Sequence, residues 1–400
     1  MKLVQINVSD YGSTGNIMIS IQNAASALGH TALSFCGRSI KRYKNCTKIT
    51  NSLDLYGHAL LARFGKNGHG SKIATKKLIK MLDDIDPDVL LLHNIHGYYL
   101  NLGLFFDYLL STRAKIFWTL HDCWTFTGGC AYFSKSNCEK YKTGCKDCSV
   151  CRTNYPKSFI DTTESEFKYK SELFSKCRNI TFISPSKWLA DIAKDSYIGR
   201  YPIHVINNGV DTSKFVPCDS STVHQIKIKY NIPDNKPIIL GVSSVWDSRK
   251  NPETFFKLAE KMPHYTFVMV GTCSMPSESS SNLINIPRTE SIHDMSAIYS
   301  SAAVFLNLSV EDNFPLVSLE ALSCAAPVIS SCLCGSPEAV SPDTGIIVNP
   351  SDDTEIADAI KKIISDKNIS ETRRKCRNRA VTLYDCSVMT DNYLKLLFAD

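Results

Sequence analysis

An α/β fold of two doubly wound, parallel-sheet domains is predicted by three observations. Short apolar runs alternate with helix-period segments from end to end, the pattern restarts near residue 236, and 400 residues exceed what one hydrophobic core usually supports. With 44% hydrophobic and 21% charged residues, the chain can fill two cores.

In the first half, "KLVQINV", "TALSFCG", "DVLLLHN", "KIFWTL" and "ITFISPS" read as strands, and Ile17, Ile21, Ala24, Ala25 and Leu28 share one face of a helix over 16–28. In the second half the strands are "KPIILGVSS", "YTFVMVG", "AAVFLNLS", "APVISS" and "TGIIVNP", with helices over 252–262 and 316–326 between them. Strand–helix–strand order of this kind makes parallel sheets with crossover helices. The junction falls in the turn-rich "INNGVDTSKFVPCDSS", which gives domains over 1–205 and 206–385 and a terminal helix over 386–400 that packs back on the first domain. The tract "SMPSESSSN" at 274–282 reads as an exposed loop.

No apolar run approaches the ~18 residues of a membrane span. "MKLVQINVSD" lacks the length and cleavage site of a signal peptide, so a cytoplasmic protein is expected. In that compartment cysteines are thiols or metal ligands. Ten of the sixteen, Cys36, Cys46, Cys177, Cys218, Cys273, Cys324, Cys332, Cys334, Cys376 and Cys386, show no ligand-like grouping and are expected to be small buried hydrophobes. The formal charge of +6 is unevenly spread: from Arg38 to Lys80 eleven Lys or Arg face a single acid, Asp54. Such a stretch suits phosphates or an anionic membrane, and a helix carrying Ile73, Lys76, Lys77 and Lys80 would rest on the latter.

The first strand ends in "SDYGSTGNI", where Gly12 and Gly15 turn the chain into a helix whose free amides favour an anion. The three-glycine dinucleotide fingerprint and its ribose-binding acid are missing, which removes the main support for a nicotinamide dehydrogenase. In "SVEDNFPLVSLEALSCAAPVIS", Pro315 suits the first turn of a helix, Asp312 precedes it, and Glu320 lies about one turn inside. At the carboxyl edge of a parallel sheet these carboxylates would meet a ligand in the interdomain crevice, where they can accept hydrogen bonds from sugar hydroxyls. "KIFWTLHD" delivers His121 and Asp122 to the corresponding edge of the first domain. The aspartates of "DDIDPD" at 83–88 imitate a metal-binding pair but precede a strand, at its amino end and away from the crevice.

Cys130, Cys138, Cys145 and Cys148 are separated by seven, six and two residues, and Cys151 adds a second C-x-x-C spacing. The series is compatible with a structural zinc site, with Cys151 as the alternative fourth ligand, or with thiols packed in a loop or disulfides. A catalytic zinc is disfavoured, because four thiolates leave no position for water. A second class of function, a nucleic-acid-binding protein with a zinc ribbon over the cysteine loop and a basic arm over 38–80, leaves the acidic motif at 312–320 without a use.

"VINNGVDTSKFVP", "SVEDNFPLVSLEALSCAAPVIS" and "TGIIVNP" resemble the signatures of retaining GT-B glycosyltransferases of family 4. "HDCWTFTGGC" with its following cysteines resembles the members that build bacterial surface polysaccharides such as O-antigen and colanic acid. The resemblance implies two Rossmann-like domains and transfer of a sugar from a nucleotide sugar, with retention, to a glycan or lipid-linked acceptor at the cytoplasmic face of the inner membrane. It implies no catalytic cofactor and no nucleic-acid partner. His121 would orient the sugar and stabilise charge. Asp312 and the segment Asn313, Phe314, Pro315 and Leu316, through the amides of all but the proline, fall to the donor sugar, Glu320 to the ribose, and Lys250 to the diphosphate, with Gly15 also among the donor-binding residues. The family usually has an arginine six residues before that lysine; Ser244 occupies the place, and Arg249 is the candidate substitute.

Overall fold

The computed structural model describes every residue except 42, 277–279 and 400. Part of the tract at 274–282, and Arg42 of the basic stretch, therefore lie outside the described residues. The chain forms two compact units, Met1–Asn207 with Thr390–Asp400, and Asn208–Met389.

The first unit holds β1 (Lys2–Ser9), β2 (Thr31–Arg38), β3 (Cys46–Lys48), β4 (Val89–Leu92), β5 (Lys115–Thr119), β6 (Ile180–Ser184) and β7 (Ile203–Val205). They make one sheet in the order β3-β2-β1-β4-β5-β6-β7, every pair parallel. The order reverses beside β1, which makes the β1/β4 boundary the switch point where such sheets bind ligands. β4 reads VLLL and is buried at all four positions, as expected of a strand covered on both faces. The last helix, Cys386–Leu397, ends in this unit, where Tyr393 and Thr119 share a hydroxyl hydrogen bond of 3.2 Å.

The second unit holds β8 (Ile238–Val245), β9 (Thr266–Thr272), β10 (Leu283–Ile286), β11 (Ala302–Asn307), β12 (Val328–Ser331) and β13 (Gly345–Val348), in the parallel order β10-β9-β8-β11-β12-β13. The helix Leu316–Ser323 opens behind Pro315, and Pro252–Lys261 has its proline in the first turn. Gly271 is required where β9 passes β8: its φ is +117°, and a Cβ would meet the Ser243 carbonyl oxygen at 1.5 Å.

All ten strands read from the sequence are present. The three not foreseen, β3, β7 and β10, have three or four residues each. Two lie at sheet edges of the first unit and one at an edge of the second, where little alternation is needed. The expectation for the ten ungrouped cysteines needs correction. Cys36, Cys177, Cys324 and Cys376 are buried, but Cys332 is exposed and the other five are half-buried, so they stand partly on the surface.

Candidate functional site

In the first unit the chain leaves β1 through a turn in which Gly12 has a φ of +73° and starts the helix Gly12–Ala27. Gly15 lies against the end of β1, where a Cβ would meet the Asp10 backbone at 2.6 Å. Glycine therefore lets the helix's first turn sit on the carboxyl edge of the sheet. Asn7 ties this edge together: its Oδ1 accepts from the amides of Val8 and Asn94, and its Nδ2 donates to the Ser9 carbonyl.

His121 and Asp122 follow β5 at the same edge, and each meets a histidine from the segment after β4. His93 Nδ1 is 3.0 Å from His121 Nε2, and the rings are stacked with centroids 5.3 Å apart. Asp122 Oδ2 is 2.8 Å from His96 Nε2, while its Oδ1 accepts from the Trp124 amide. Burial pushes the His121 pKa down to about 4, with Asp122 opposing the shift. Burial acts the other way on Asp122, yet His96 and the Trp124 amide outweigh it and hold the carboxyl below its usual value. His93 and His96 carry no role in the sequence reading, although "HNIHG" was visible as a strand end.

The cysteine loop does not assemble as expected. Cys130, Cys138, Cys145 and Cys148 line one cavity of about 240 Å³, and Cys151 lines a neighbouring one with Cys130 and Cys148. Among the described residues, the group whose ligand atoms lie within 4.8 Å of one another is instead Asp10, Cys36 and Cys46. The predicted zinc set is thus not brought to ligand spacing, and other contacts hold the loop. Cys145 Sγ accepts from the Gly128 amide at 3.1 Å, Cys148 N donates to Asp161, and Lys140 Nζ donates to the carbonyls of Lys146 and Asp147. Phe133 stacks on Tyr141 at 4.7 Å. Burial raises the Cys130 thiol to about 12.

In the second unit the turn after β8 and the segment after β11 are joined by a backbone hydrogen bond from Val310 to Arg249. This brings Lys250 Nζ to 2.5 Å from Asp312 Oδ2 and 3.4 Å from Ser309 Oγ. Ser309 Oγ in turn donates to Asn307, at the end of β11. Asn313 and Phe314 are buried, Pro315 caps the helix, and Leu316 is its first residue. Phe314 packs edge-on to Tyr384, and its carbonyl accepts from Asn208. Glu320, one turn in, takes a 2.7 Å hydrogen bond from Tyr299; burial raises its pKa and the tyrosine opposes the shift.

Arg249, the candidate substitute cation, pairs with a carboxylate two residues before it. Its Nε and Nη2 fork onto Asp247 Oδ2 at 3.1 and 2.8 Å, and its amide donates to Asp247 Oδ1. Ser244 is exposed at the end of β8. The aspartates of 83–88 lie at the amino end of β4, as expected, with Asp88 accepting from the Lys2 amide.

Residues 223–382, most of the second unit, match the family Glycosyl transferases group 1. WcaC of Escherichia coli (strain K12), which bears the name of a colanic acid biosynthesis glycosyl transferase, is 28% identical over 77% of this chain and 75% of its own length. An Escherichia coli UDP-Gal:alpha-D-GlcNAc-diphosphoundecaprenol alpha-1,3-galactosyltransferase is 26% identical over 52% of this chain and 56% of its own. Among solved structures, Anabaena Alr3699/HepE in complex with UDP and glucose superposes with a TM-score of 0.69 at 14% identity over 99% of both chains. Sucrose-phosphate synthase from Thermosynechococcus elongatus gives 0.71 at 16% identity over 99% and 98%. At such identities the likeness of the structures is one of fold: two Rossmann-like units of the GT-B type.

Proposed function

We propose that this glycosyltransferase, whose second unit carries the group 1 domain, moves a sugar from a nucleoside-diphosphate sugar to a hydroxyl of a lipid-linked glycan, with retention, in the synthesis of a bacterial surface polysaccharide. The observation that carries the donor assignment is the pair Lys250–Asp312 beside the opening of the helix Leu316–Ser323, with Glu320 one turn inside it. Without ligand the cation and carboxylate neutralise each other. A diphosphate would take Lys250, releasing Asp312 to accept from a sugar hydroxyl. Glu320, with one oxygen on Tyr299, offers the other to the ribose.

The chemistry follows from the charges. The bond from the anomeric carbon to the diphosphate breaks with the electron pair going to the phosphate oxygen, and Lys250 with the nearby helix amides stabilises that charge. The acceptor hydroxyl adds on the face the diphosphate leaves and gives its proton to the departing phosphate. His121 orients the sugar. The names of WcaC and of the diphosphoundecaprenol galactosyltransferase support a polysaccharide acceptor on a lipid carrier.

A second observation supports the lipid carrier. The helix Ser52–Arg63 buries only His58 and Ala62 and exposes Leu53, Tyr56 and Leu60 on one face, Leu53 to 84%. Phe64 and Phe159, exposed and packed edge to face, lie next along this stretch. Arg63 and Lys66 near the end of that helix are exposed, as are Lys72, Lys76 and Lys77 on the following one. Ile73 is exposed on the next helix, whose Leu78 and Leu82 face the core. An exposed apolar strip in a stretch that also exposes several cations suits the surface of an anionic bilayer. No helix among the described residues is long and apolar enough to cross one.

The test uses a panel of nucleotide sugars with purified protein, scoring hydrolysis and heat protection, and flotation with liposomes. One donor should be hydrolysed and should stabilise the protein. Anionic vesicles should retain it at low salt and lose it as salt rises or when Leu53, Leu60 and Phe64 become Ser. Turnover of no nucleotide sugar would refute the donor assignment; equal flotation with neutral and anionic vesicles would refute the membrane surface.

A further inference from the structure

Cys36 and Cys46 are ten positions apart and share no motif, yet the pairing of β2 with β3 brings their sulfurs to 3.7 Å. The Asp10 carboxylate, just after β1, completes a group whose ligand atoms all lie within 4.8 Å of one another. Asp10 and Cys36 have no exposed surface and Cys46 is half-buried, so solvent meets the group on the side of the edge strand β3. The surroundings hold all three in place. Ser39 Oγ donates to Asp10 Oδ2 at 2.6 Å and the Ile40 amide donates to Oδ1 at 3.0 Å. The Ser34 amide donates to the Asn45 carbonyl, the Ile49 amide to the Cys36 carbonyl, and Gln22 Nε2, from the helix Gly12–Ala27, to the Lys44 carbonyl.

Two chemistries could join the sulfurs, and the strand register separates them. Cys46 pairs with Ser34, two residues before Cys36. With strands about 4.8 Å apart and a rise of about 3.3 Å per residue, the two Cα atoms stand about 8 Å apart, beyond the ~7 Å that a disulfide spans without backbone movement. A tetrahedral zinc ion needs no such closure, since Zn–S bonds of about 2.3 Å set its sulfurs about 3.8 Å apart. An ionised carboxylate offers about four acceptor directions, so Asp10 can ligate while keeping its bonds from Ser39 and Ile40. Those bonds are the outer contacts by which a ligating carboxylate is ordinarily oriented.

We propose that Asp10, Cys36 and Cys46 form a zinc site in the first unit, with two thiolates and one carboxylate as ligands and water in the fourth position. Binding releases the two thiol protons to solvent. The sulfurs select zinc over magnesium or calcium, which take oxygen ligands. The ion ties the end of β1 to β2 and to the edge strand β3, where the basic stretch begins, and so stabilises this side of the sheet. The inference does not depend on the reaction proposed above or on the cysteines of 130–151.

The experiment uses the full chain under a phosphine reductant, stripped with a chelator and reloaded with zinc alone. Peptide mass spectrometry after iodoacetamide treatment should show Cys46 alkylated about tenfold more slowly with zinc than without it, because the bound thiolate is no longer open to attack. Cys46→Ser should carry one equivalent of zinc less than wild type, a difference that holds whatever the loop cysteines bind. Asp10→Asn should weaken that equivalent by about 100-fold. Zinc should raise Tm by about 5 °C more in wild type than in Cys46→Ser. Equal alkylation of Cys46 with and without zinc would overturn the proposal, as would equal zinc content in wild type and Cys46→Ser or an unchanged affinity in Asp10→Asn. Should a variant fail to fold, the alkylation of the wild-type chain decides alone.

Discussion

The carboxyl edges of the two sheets are built on opposite principles. In the first unit the edge holds a buried relay, in which Gln5, His93 and His121 pass one hydrogen bond to the next, beside the buried Asp122–His96 pair. In the second unit the edge holds opposite charges in contact, Lys250 with Asp312 and Arg249 with Asp247, at least a fifth of each side chain reaching solvent. A neutral relay defines direction at small desolvation cost, whereas half-exposed ion pairs contribute little to stability and exchange partners readily. The first edge is made to orient, and the second to trade an internal partner for a ligand.

The sharpest way to break this contrast is to remove the two cations of the second unit separately. Lys250→Met should lower donor kcat/KM by about 10²- to 10³-fold, the size expected for a lost stabiliser of the developing charge. Arg249→Met should cost about tenfold less, because Arg249 serves Asp247 and its loss only leaves that carboxylate uncompensated. Adding Asp247→Asn to Arg249→Met should then restore most of the activity. Steady-state kinetics on the three variants decides it: a larger loss for Arg249→Met than for Lys250→Met would give the diphosphate to the arginine.

A smaller effect separates binding from support at Glu320. Glu320→Gln keeps an oxygen for Tyr299 but loses the charge, and should raise the donor KM by roughly tenfold with little change in melting temperature. Tyr299→Phe removes a buried hydrogen bond and should cost stability of about 1 kcal/mol while donor KM moves far less. If both variants lose only stability, the carboxylate is a core group and the ribose lies elsewhere.

Much of the fold was legible because its signals are local. Ten strands announced themselves as apolar runs, and Pro315 and Pro252 marked helix starts by removing a donor that the first turn does not need. The candidate residues of the second unit were legible for the same reason, since Asp312 to Glu320 are contiguous. The relay was not. Gln5 lies on β1 while His93 and His121 follow β4 and β5, separated by 88 and 28 positions, and nothing in a lone buried glutamine marks it as a hydrogen-bond partner of the pair. The cysteine loop shows the converse: regular spacing along the chain did not bring the thiols to ligand spacing, because Gly128, Lys140 and Asp161 hold the loop by other bonds. The pairing of Arg249 with Asp247, two residues away, was not legible either, because the turn's geometry decides it.

The smallest expected effect tests whether the neutral state of the first unit is built in, and its sign can be worked out group by group. His121 and His58 are shifted by burial from 6.5 to about 4, so between those values the unfolded chain holds protons that the folded one refuses. Their contribution to folding is unchanged above about pH 6.5 and turns unfavourable as pH falls toward 4. In the second unit His224, His264 and His293 are exposed. Its Glu320 is raised above 4.5, which reverses the sign: protonation relieves a buried charge, so acid favours the folded form there. Depressed carboxylates whose ordinary value is 3.8, among them Asp122 and Asp161 in the first unit and Asp247, Asp294 and Asp385 in the second, give up their stabilisation below that value, outside this window. Acidification from pH 6.5 to 4 should therefore loosen the first unit selectively, by about 1 kcal/mol per buried histidine once water penetration is allowed for. Hydrogen exchange corrected for its intrinsic pH dependence would read it out, with amides of β1, β4 and β5 losing protection while those of β8 and β11 hold. Equal loss in both units would mean that the rings at the first edge charge without penalty, and the contrast between a neutral edge and an ionic one would fall with it.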